Sequence, residues 1–385
     1  MEEYFSATIK KLKSNDYNQI NIVLGNESCD LDSAVSSIVY TVFLYWHYNQ
    51  IKCTVCTHRN DNNDDKIFVP MLDVKREDYP LKTEVIFCLR EHGINEDYLV
   101  FRDDINIEEL ATTKDVNIIL VDHHIIAQRY EKYIPYVREI IDHRPKDEDN
   151  WSYKPDVRST IEVVGSCASL ITQRIRDLSR LLGKDEEFLR LYPECTDMLH
   201  GVILLDTVNF SKKLNKATPT DVNNVDAIER ILEPEDIERE RRSKVEGLVR
   251  ARSDVSALSA AQLIKKDLKI LQDILVPTFP ILVEEFLQRP AAIQAVQAAL
   301  STYNCTMAVL LGIDLKSQLR RDGAILSPAD PARGNQLLEL FQNWCDPQLV
   351  LQRGARPDCL YFTIMNLSAS RKQIIPILNE FLANK

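Results

Sequence analysis

Several features that define common enzyme classes are missing from this sequence. Glycine is scarce, with 10 residues in 385, and none belongs to a G-x-G-x-x-G or G-x-x-x-x-G-K-[ST] loop of the kind that binds dinucleotides or nucleoside triphosphates. No apolar run approaches the roughly 18 residues that a membrane-spanning helix needs. The sequence therefore predicts neither a glycine-rich nucleotide site nor a membrane protein.

Positive charge is also in short supply. Lysine and arginine number 47 against 58 aspartates and glutamates, which gives a formal net charge of -11. Generic binding to nucleic acid or to an anionic membrane needs a basic face, so this balance argues against both. The N-terminal stretch lacks a signal-peptide core and, without arginine, makes a poor transit peptide. We expect a cytoplasmic protein, with a mitochondrial location as the alternative.

The nine cysteines are odd in number and scattered. This indicates reduced core residues rather than a disulfide framework. Cys53 and Cys56 form a lone C-x-x-C within 52–57, a stretch that we predict to be a strand. Because no second pair accompanies them, we expect strand packing there rather than a zinc or redox site.

The order of apolar segments predicts an α/β protein with a doubly wound, mainly parallel sheet. Strands are expected at 22–24, 52–57, 85–89, 98–101, 118–121 and 137–141. Helices are expected at 4–15, 33–46, 165–178, 199–205 and 221–231. A charge-dense helix over 234–252 has few apolar anchors, so we place the boundary to a second, smaller α/β domain near it.

The second domain is predicted from fewer signals. We expect strands at 307–311 and 359–365, and helices at 255–273, 335–344 and 371–383. The predicted organisation is thus a first domain over 1–230, a helical linker over 231–250 and a second domain over 251–385.

Carboxylate, imidazole and other polar side chains recur directly after the apolar segments. The set comprises Asn26, Asp30, Asp32, Asp122, His123, His124, Asp142, His143, Arg144 and Asp206. The carboxyl ends of parallel strands meet at one edge of a sheet, where ligands bind. So many polar groups at one edge cost free energy unless cations compensate them. Mixed carboxylate and imidazole ligands suit Mn²⁺, Co²⁺ or Zn²⁺, and Mg²⁺ less well, so we predict a two-metal site.

A set of short motifs resembles the DHH phosphoesterase superfamily, in the subfamily that holds manganese-dependent family II inorganic pyrophosphatases and prune-type exopolyphosphatases. The motifs are NESCDLD (26–32), VDHH (121–124), DHRP (142–145), GSCAS (165–169), LLDTVNF (204–210) and SRKQ (370–373). The pyrophosphatases begin the first motif with histidine and carry DHH in the third. Asn26 and Arg144 stand at those positions here, and both departures resemble the prune type.

This resemblance implies a DHH domain over 1–230 and a DHHA2 substrate-clamping domain over 251–385, with the active site in the cleft between them. It also implies two divalent metal ions, Mn²⁺ first and Mg²⁺ or Co²⁺ as alternatives. Asp30 would bind one ion and Asp32 the other, and Asp122 would bridge them. The remaining implied ligands are His143 and Asp206 at the second ion, and Asn26 in the place of the pyrophosphatase histidine.

The implied reaction is hydrolysis of short inorganic polyphosphates, tri- and tetrapolyphosphate, by a water that the two metals activate. Arg144 suits bidentate phosphate recognition. We expect His123 to orient ligands and His124 to face the substrate. Lys269, Arg371 and Lys372 are the expected phosphate clamps of the second domain. The alternatives are cyclic-nucleotide phosphodiesterase, pyrophosphatase, and a non-enzymatic regulator that binds nucleoside diphosphate kinase, as the resemblance also suggests.

Overall fold

The computed structural model describes residues 1–55, 66–314 and 319–383, with the backbone alone described at 52–55. The chain divides into two compact units, Met1–Arg252 and Ser253–Lys385. Each unit contains a six-stranded sheet. Within the described ranges, no helix combines the length and the hydropathy that crossing a lipid bilayer requires.

The sheet of the first unit is parallel, and its strand order is β3-β2-β1-β4-β5-β6. The strands are β1 (Gln19–Leu24), β2 (Lys66–Leu72), β3 (Val100–Phe101), β4 (Asp115–Val121), β5 (Val137–Asp142) and β6 (Arg158–Ile161). The order reverses at β1, as it does in doubly wound sheets. The predicted fold class is therefore confirmed.

Helices cover both faces of this sheet. They are α1 (Glu2–Ser14), α2 (Leu31–Val55), α3 (Thr83–Glu91), α4 (Ile107–Thr113), α5 (Cys167–Leu181), α6 (Glu187–Leu191), α7 (Pro193–Asp206), α8 (Pro219–Leu232) and α9 (Ile237–Ser253). Successive strand residues point to opposite faces. Val23 accordingly belongs to one apolar core and Ile22 to another. Burial on both faces explains why the strands read as apolar runs.

Two predicted strands are wrong. Residues 85–89 lie in helix α3, where Val85, Cys88 and Leu89 are buried. That spacing is helical, and Phe87 points outward with 38% exposure. Residues 52–55 of the other predicted strand continue helix α2, while 56 and 57 lie outside the described residues.

Strand β2 lies outside the predicted strands. Its sequence contains Pro70, and proline normally argues against a paired strand. Pro70 stands opposite Val23 of β1. On the other side, β3 pairs only with Met71 and Leu72. The missing N–H of the proline therefore leaves no β3 partner unpaired.

Helix α9, which falls largely within the predicted linker, packs on the first unit. Arg241 Nε and one terminal guanidinium nitrogen each donate to Glu229 of α8 at 2.7 Å. Lys244 donates to Asp197 of α7 at 2.5 Å. Leu248 joins the apolar core formed with α2, α5 and α7.

The sheet of the second unit has the order β11-β12-β10-β9-β8-β7. Its strands are β7 (Leu268–Leu271), β8 (Ile274–Phe279), β9 (Met307–Asp314), β10 (Arg320–Leu326), β11 (Leu351–Arg353) and β12 (Leu360–Ile364). Its helices are α10 (Ala260–Lys266), α11 (Val283–Leu287), α12 (Ala292–Thr302), α13 (Pro331–Asn343) and α14 (Arg371–Ala383). Neighbouring strands are antiparallel except β8 and β9.

One helix predicted in the second unit is wrong over half its length. Residues 255–273 were expected to be a single helix, but α10 ends at Lys266 and strand β7 follows. Asp267 ends the helix in a non-helical conformation, and its carbonyl accepts from Thr278 N–H of β8 at 3.0 Å. That hydrogen bond begins the pairing of β7 with β8, at the edge of the sheet.

Candidate metal centre

The carboxyl ends of β1, β4 and β5 lie side by side in the sheet of the first unit. Each strand is followed by residues of the predicted site, because the chain leaves all three strands at the same edge. Helices α5 and α7 bring further groups from outside the sheet. The structure thus gathers side chains that are far apart in sequence.

Asp32 occupies the first turn of α2 and caps a different helix. Its carboxylate accepts the N–H of Cys167 at 2.6 Å and of Ala168 at 2.9 Å, both at the start of α5. The hydroxyl of Ser36 donates at 3.2 Å. Free N–H groups at a helix start favour an anion. These three donors fix the orientation of the carboxylate.

Asp122 follows β4 in a strained backbone conformation. Its φ of 62° lies in the left-handed region, which costs a non-glycine residue about 1–3 kcal/mol. Its N–H still donates to the Ile141 carbonyl of β5 at 2.9 Å. The conformation turns the side chain toward the other site residues, where it is buried.

His143 completes a compact group with these two aspartates. Its Nε2 lies 3.2 Å from Asp122 Oδ1 and 4.0 Å from Asp32 Oδ2. One ligand atom from each residue lies within 4.8 Å of the others. Nδ1 lies 3.1 Å from the Val164 carbonyl. A proton on Nδ1 leaves the Nε2 lone pair for a metal ion.

Burial shapes the charge of this group. It raises the pKa of Asp32 and of Asp122, and the repulsion between neighbouring carboxylates raises both further. Burial alone would lower the pKa of His143, but the Asp122 and Asp32 carboxylates outweigh it and raise that pKa to about 9. A divalent cation bound among these groups would favour their carboxylates in the ionised form.

Asp206 ends helix α7 next to Asp32 and Ser166. Burial raises its pKa well above the usual range, and the charge of Asp32 adds to the effect. Asp206 Oδ2 and Asp122 Oδ1 are buried and accept no well-aligned hydrogen bond from the described parts of the chain, although His143 Nε2 lies 3.2 Å from Asp122 Oδ1. Orphaned carboxylate oxygens are rare in protein interiors. Oxygen ligands with one imidazole fit a divalent ion such as Mn²⁺, Co²⁺ or Mg²⁺.

Asn26 and Asp30 are engaged in hydrogen bonds of the loop after β1. Asn26 Oδ1 accepts from Ser28 N–H at 2.8 Å and from the Ser28 hydroxyl at 2.5 Å. The Asn26 amide nitrogen donates to Asp122, to the backbone carbonyl at 3.2 Å and to the side chain. Asp30 accepts from Ser33 N–H at 3.1 Å and from the Ser28 hydroxyl at 3.0 Å. Asp30 does not belong to the three-residue group of Asp32, Asp122 and His143.

The two adjacent histidines have different surroundings. His123 Nδ1 lies 2.9 Å from the Val121 carbonyl, and burial lowers its pKa, which favours the neutral ring. His124 Nδ1 lies 2.5 Å from Asp142 Oδ2. His124 Nε2 accepts from Asp147 N–H at 3.0 Å. Both nitrogens of His124 are therefore used within the fold.

Arg144 stands beside the candidate metal ligand Asp122. One terminal nitrogen lies 3.6 Å from Asp122 Oδ1, and the side chain is 48% exposed. Because the contact is long and the guanidinium is half in solvent, most of its donors stay available to an anion.

The second unit brings the segments of the three predicted phosphate-binding residues together. Arg371, at the start of α14, donates to the Asp267 carboxylate at 2.8 Å and to its carbonyl at 3.1 Å. Lys269 is exposed two residues further on, in β7, and Lys372 is exposed beside Arg371. The SRKQ segment (370–373) and residues 267–269, about a hundred residues apart in sequence, are thus neighbours in the fold.

Three aspartates near the candidate metal centre have structural roles that the sequence analysis did not assign. Asp142 is fully buried, and its Oδ1 accepts from His143 N–H at 2.8 Å. Asp221 accepts from Gly165 N–H at 2.8 Å, which holds the segment before α5. Asp73 directly follows β2 at the same sheet edge. A carboxylate after a strand was the usable signal for Asp73, but the strand before it had not been predicted.

Comparison with known proteins gives this geometry a family. The DHHA2 domain model matches residues 246–381. Exopolyphosphatase PRUNE1 of Homo sapiens is 31% identical over 391 residues, an alignment that covers 100% of this chain and 80% of the human protein. The Mus musculus protein of the same name is 30% identical, with 100% of this chain and 79% of that protein covered. The chain belongs to the prune-type exopolyphosphatase family.

Among solved structures, a Methanococcus jannaschii protein assigned to the family II inorganic pyrophosphatases aligns with 94% of this chain and 99% of its own. The identity is 19% and the TM-score 0.48. The predicted membership of the prune type is confirmed by the full-length relatives. Both relatives are named exopolyphosphatases, and this chain is a hydrolase.

Proposed function

We propose that this prune-type protein hydrolyses phosphoanhydride bonds in short inorganic polyphosphates, with tri- and tetrapolyphosphate as preferred substrates. One observation carries the proposal. Two buried carboxylate oxygens, Oδ1 of Asp122 and Oδ2 of Asp206, accept no well-aligned hydrogen bond from the described residues. His143 Nε2 lies 3.2 Å from the first, and a half-exposed arginine stands beside it. Such a site needs a cation, and it then offers both a cation and a guanidinium to a phosphate.

The residues that would hold a divalent ion are Asp32, Asp122, His143 and Asp206. A bound ion supplies Lewis-acid chemistry, since it polarises phosphoryl oxygens and acidifies water. We propose further that Asp30, Asn26 and Asp122 would hold a second ion, and that Mn²⁺ is the preferred metal. Asn26 would have to turn its oxygen away from Ser28 to become a ligand, so we expect the second ion to bind more weakly.

The chain's own groups would position the substrate. Arg144 would donate two parallel hydrogen bonds to a phosphoryl group, because its donors are planar and half exposed. His123, neutral and with Nε2 unused among the described contacts, is better placed to face substrate than His124. His124, held by Asp142 and Asp147, would instead fix the turn that carries His143 and Arg144. This reverses the roles expected from sequence.

We also propose that Lys269, Arg371 and Lys372 bind phosphates of the substrate. Their proximity within the second unit supports this, as does the position of Arg371 and Lys372 at the start of α14, where N–H groups favour anions. Arg371 already has a partner in Asp267. Its strength as a phosphate ligand would therefore depend on how readily that pair opens.

The test is phosphate release from pyrophosphate, tripolyphosphate, tetrapolyphosphate and long polyphosphate, with 3′,5′-cyclic AMP alongside, under Mg²⁺ and under Mn²⁺. We expect the three- and four-phosphate chains to be turned over fastest. Asp122→Asn should abolish turnover. Asp177→Asn, on the exposed face of α5, is the matched control and should leave it unchanged. Turnover of cyclic AMP alone, or none with metal bound, would overturn the proposal.

A further inference from the structure

A second arginine of the first unit stands at the same sheet edge as the metal centre. Arg129 lies in the 3₁₀ segment Gln128–Tyr136 that connects β4 to β5. One terminal nitrogen donates to Asp73 at 2.7 Å, and the other donates to Glu27 at 3.1 Å. The guanidinium carbon lies 5.1 Å from the centroid of the Tyr130 ring. Its side chain remains 37% exposed.

Asp73 fixes the position of this guanidinium. It directly follows β2 and is 2% exposed. Besides Arg129, the Tyr130 hydroxyl donates to it at 2.8 Å and Arg102 at 3.3 Å. A buried carboxylate with three donors stays in one place, so it holds Arg129 at the edge of the sheet.

Glu27 holds the other side of Arg129 far less firmly. Its side chain is 66% exposed, and an exposed ion pair contributes little to stability. Glu27 belongs to the loop after β1 that also carries Asn26 and Asp30. The exposed side of Arg129 therefore faces the loop after β1. Its ion pair with Glu27 is weak, so an anion can replace Glu27 there.

Sheet order sets Arg129 and Arg144 on opposite flanks of the metal ligands. Asp73 follows β2 and Arg144 follows β5, while Asp32 and Asp122 follow β1 and β4 between them. Neighbouring strands are about 4.8 Å apart, so the ends of β2 and β5 are three spacings, or about 14 Å, apart. If one phosphate of a polyphosphate binds at the candidate metal ligands beside Arg144, Arg129 can contact only phosphates further along the same extended substrate.

We propose that Arg129 is a binding residue for inorganic polyphosphate at phosphates distant from the scissile bond, and that Glu27 occupies it until substrate arrives. The inference rests on the proposed function and deepens it, since it assigns a residue to chain length. Charge balance of Asp73 alone does not require Arg129, because Arg102 also contacts that carboxylate. Arg129 differs from Arg102 because its side chain is more exposed and contacts Glu27 in the loop that carries Asn26.

The experiment compares Arg129→Gln with wild type on pyrophosphate, tripolyphosphate and tetrapolyphosphate. We expect KM for the two longer chains to rise about tenfold, as for the loss of one hydrogen bond to a charged group, with kcat little changed and pyrophosphate unaffected. Arg129→Lys should restore part of the affinity. Glu27→Gln should lower KM for the longer chains by about twofold. Arg102→Gln is the matched control, since it removes a donor to Asp73 but should not alter chain-length preference.

An equal rise in KM on every substrate, or none on any, would overturn the inference while leaving the proposed function intact. Binding of tripolyphosphate to Asp122→Asn and to the double variant Asp122→Asn/Arg129→Gln, by calorimetry with Mn²⁺, gives a readout without turnover. We expect about tenfold weaker binding in the double variant, and equal binding would refute the role of Arg129. If wild type hydrolyses no polyphosphate, the proposed function fails and this calorimetric comparison alone decides the inference.

Discussion

Raising the pH from about 7 to about 8.5 should weaken the first unit through one histidine, His92, at the end of α3. Its Nδ1 lies 2.7 Å from the Cys88 carbonyl and its Nε2 lies 2.9 Å from Asp197 Oδ2. Both partners are acceptors, so the geometry suits a ring that carries two protons. Burial lowers the pKa of His92, but the hydrogen bonds to Asp197 and Cys88 outweigh it and raise that pKa to about 10.

The sign and size follow from linkage. The unfolded histidine has a pKa of about 6.5. Its stabilisation is fully present below that value and is lost as pH rises toward the folded pKa. Over this window each pH unit removes about 1.36 kcal/mol from the free energy of unfolding. From about pH 7 to about pH 8.5 the loss is about 2 kcal/mol, provided the folded pKa exceeds 8.5. The His92 side chain is 15% exposed, so screening by solvent is limited.

The assay is urea unfolding of wild type and His92→Gln, followed by fluorescence of Trp46, which is 3% exposed in the core of the first unit. The difference in unfolding free energy should shrink by about 2 kcal/mol over the window and stay constant below about pH 6. His47→Gln is the matched control, because burial lowers the pKa of His47 and confines its effect to lower pH. Parallel curves for wild type and His92→Gln between about pH 7 and about pH 8.5 would refute the reasoning.

Three further outcomes are expected. Gly165→Ala would place Cβ 2.6 Å from Thr207 Cγ2 and 2.9 Å from Asp221 Oδ2, so thermal melting should show a loss of about 1–3 kcal/mol. Asn26→Asp replaces a donor to Asp122 with a second carboxylate; metal-free protein should lose about 1–3 kcal/mol in denaturant titrations, and Mn²⁺ should reduce the loss. Mn²⁺ at about 100 times its Kd should stabilise wild type by about 2.7 kcal/mol in a thermal shift assay, and an unchanged Tm with EDTA or Mn²⁺ would contradict a metal centre.

The parts of the fold that could be predicted are those with local signals. Strands β4 and β5 are short apolar runs, each ended by a polar motif, and they lie where expected. The helix after β1 was also recognisable, although it continues to Val55 rather than ending near Trp46. Side chains after strand ends could be predicted to meet because parallel strands share one edge.

The remaining elements depend on contacts that no local pattern reveals. Residues 85–89 are rich in β-branched and aromatic types, yet packing of Val85 and Leu89 into the core makes them helical. Strand β2 accepts Pro70 because only β1 pairs with it at that point. Whether such a segment becomes a helix or a strand depends on the elements that it packs against, because local propensity is weaker than tertiary packing.

The site shows the same limit at the level of single atoms. Sequence position made Asn26 a candidate ligand, but the direction of its amide is set by two backbone groups. Ser28 N–H can only donate and the Asp122 carbonyl can only accept, so oxygen must face Ser28 and nitrogen must face Asp122. Turning the amide over would place its nitrogen against the Ser28 N–H and its oxygen against the Asp122 carbonyl, so neither hydrogen bond could form. In this arrangement the Asn26 amide nitrogen holds Asp122 in its strained backbone conformation, and Asn26 could offer its oxygen to a metal ion only by giving up the hydrogen bonds to Ser28.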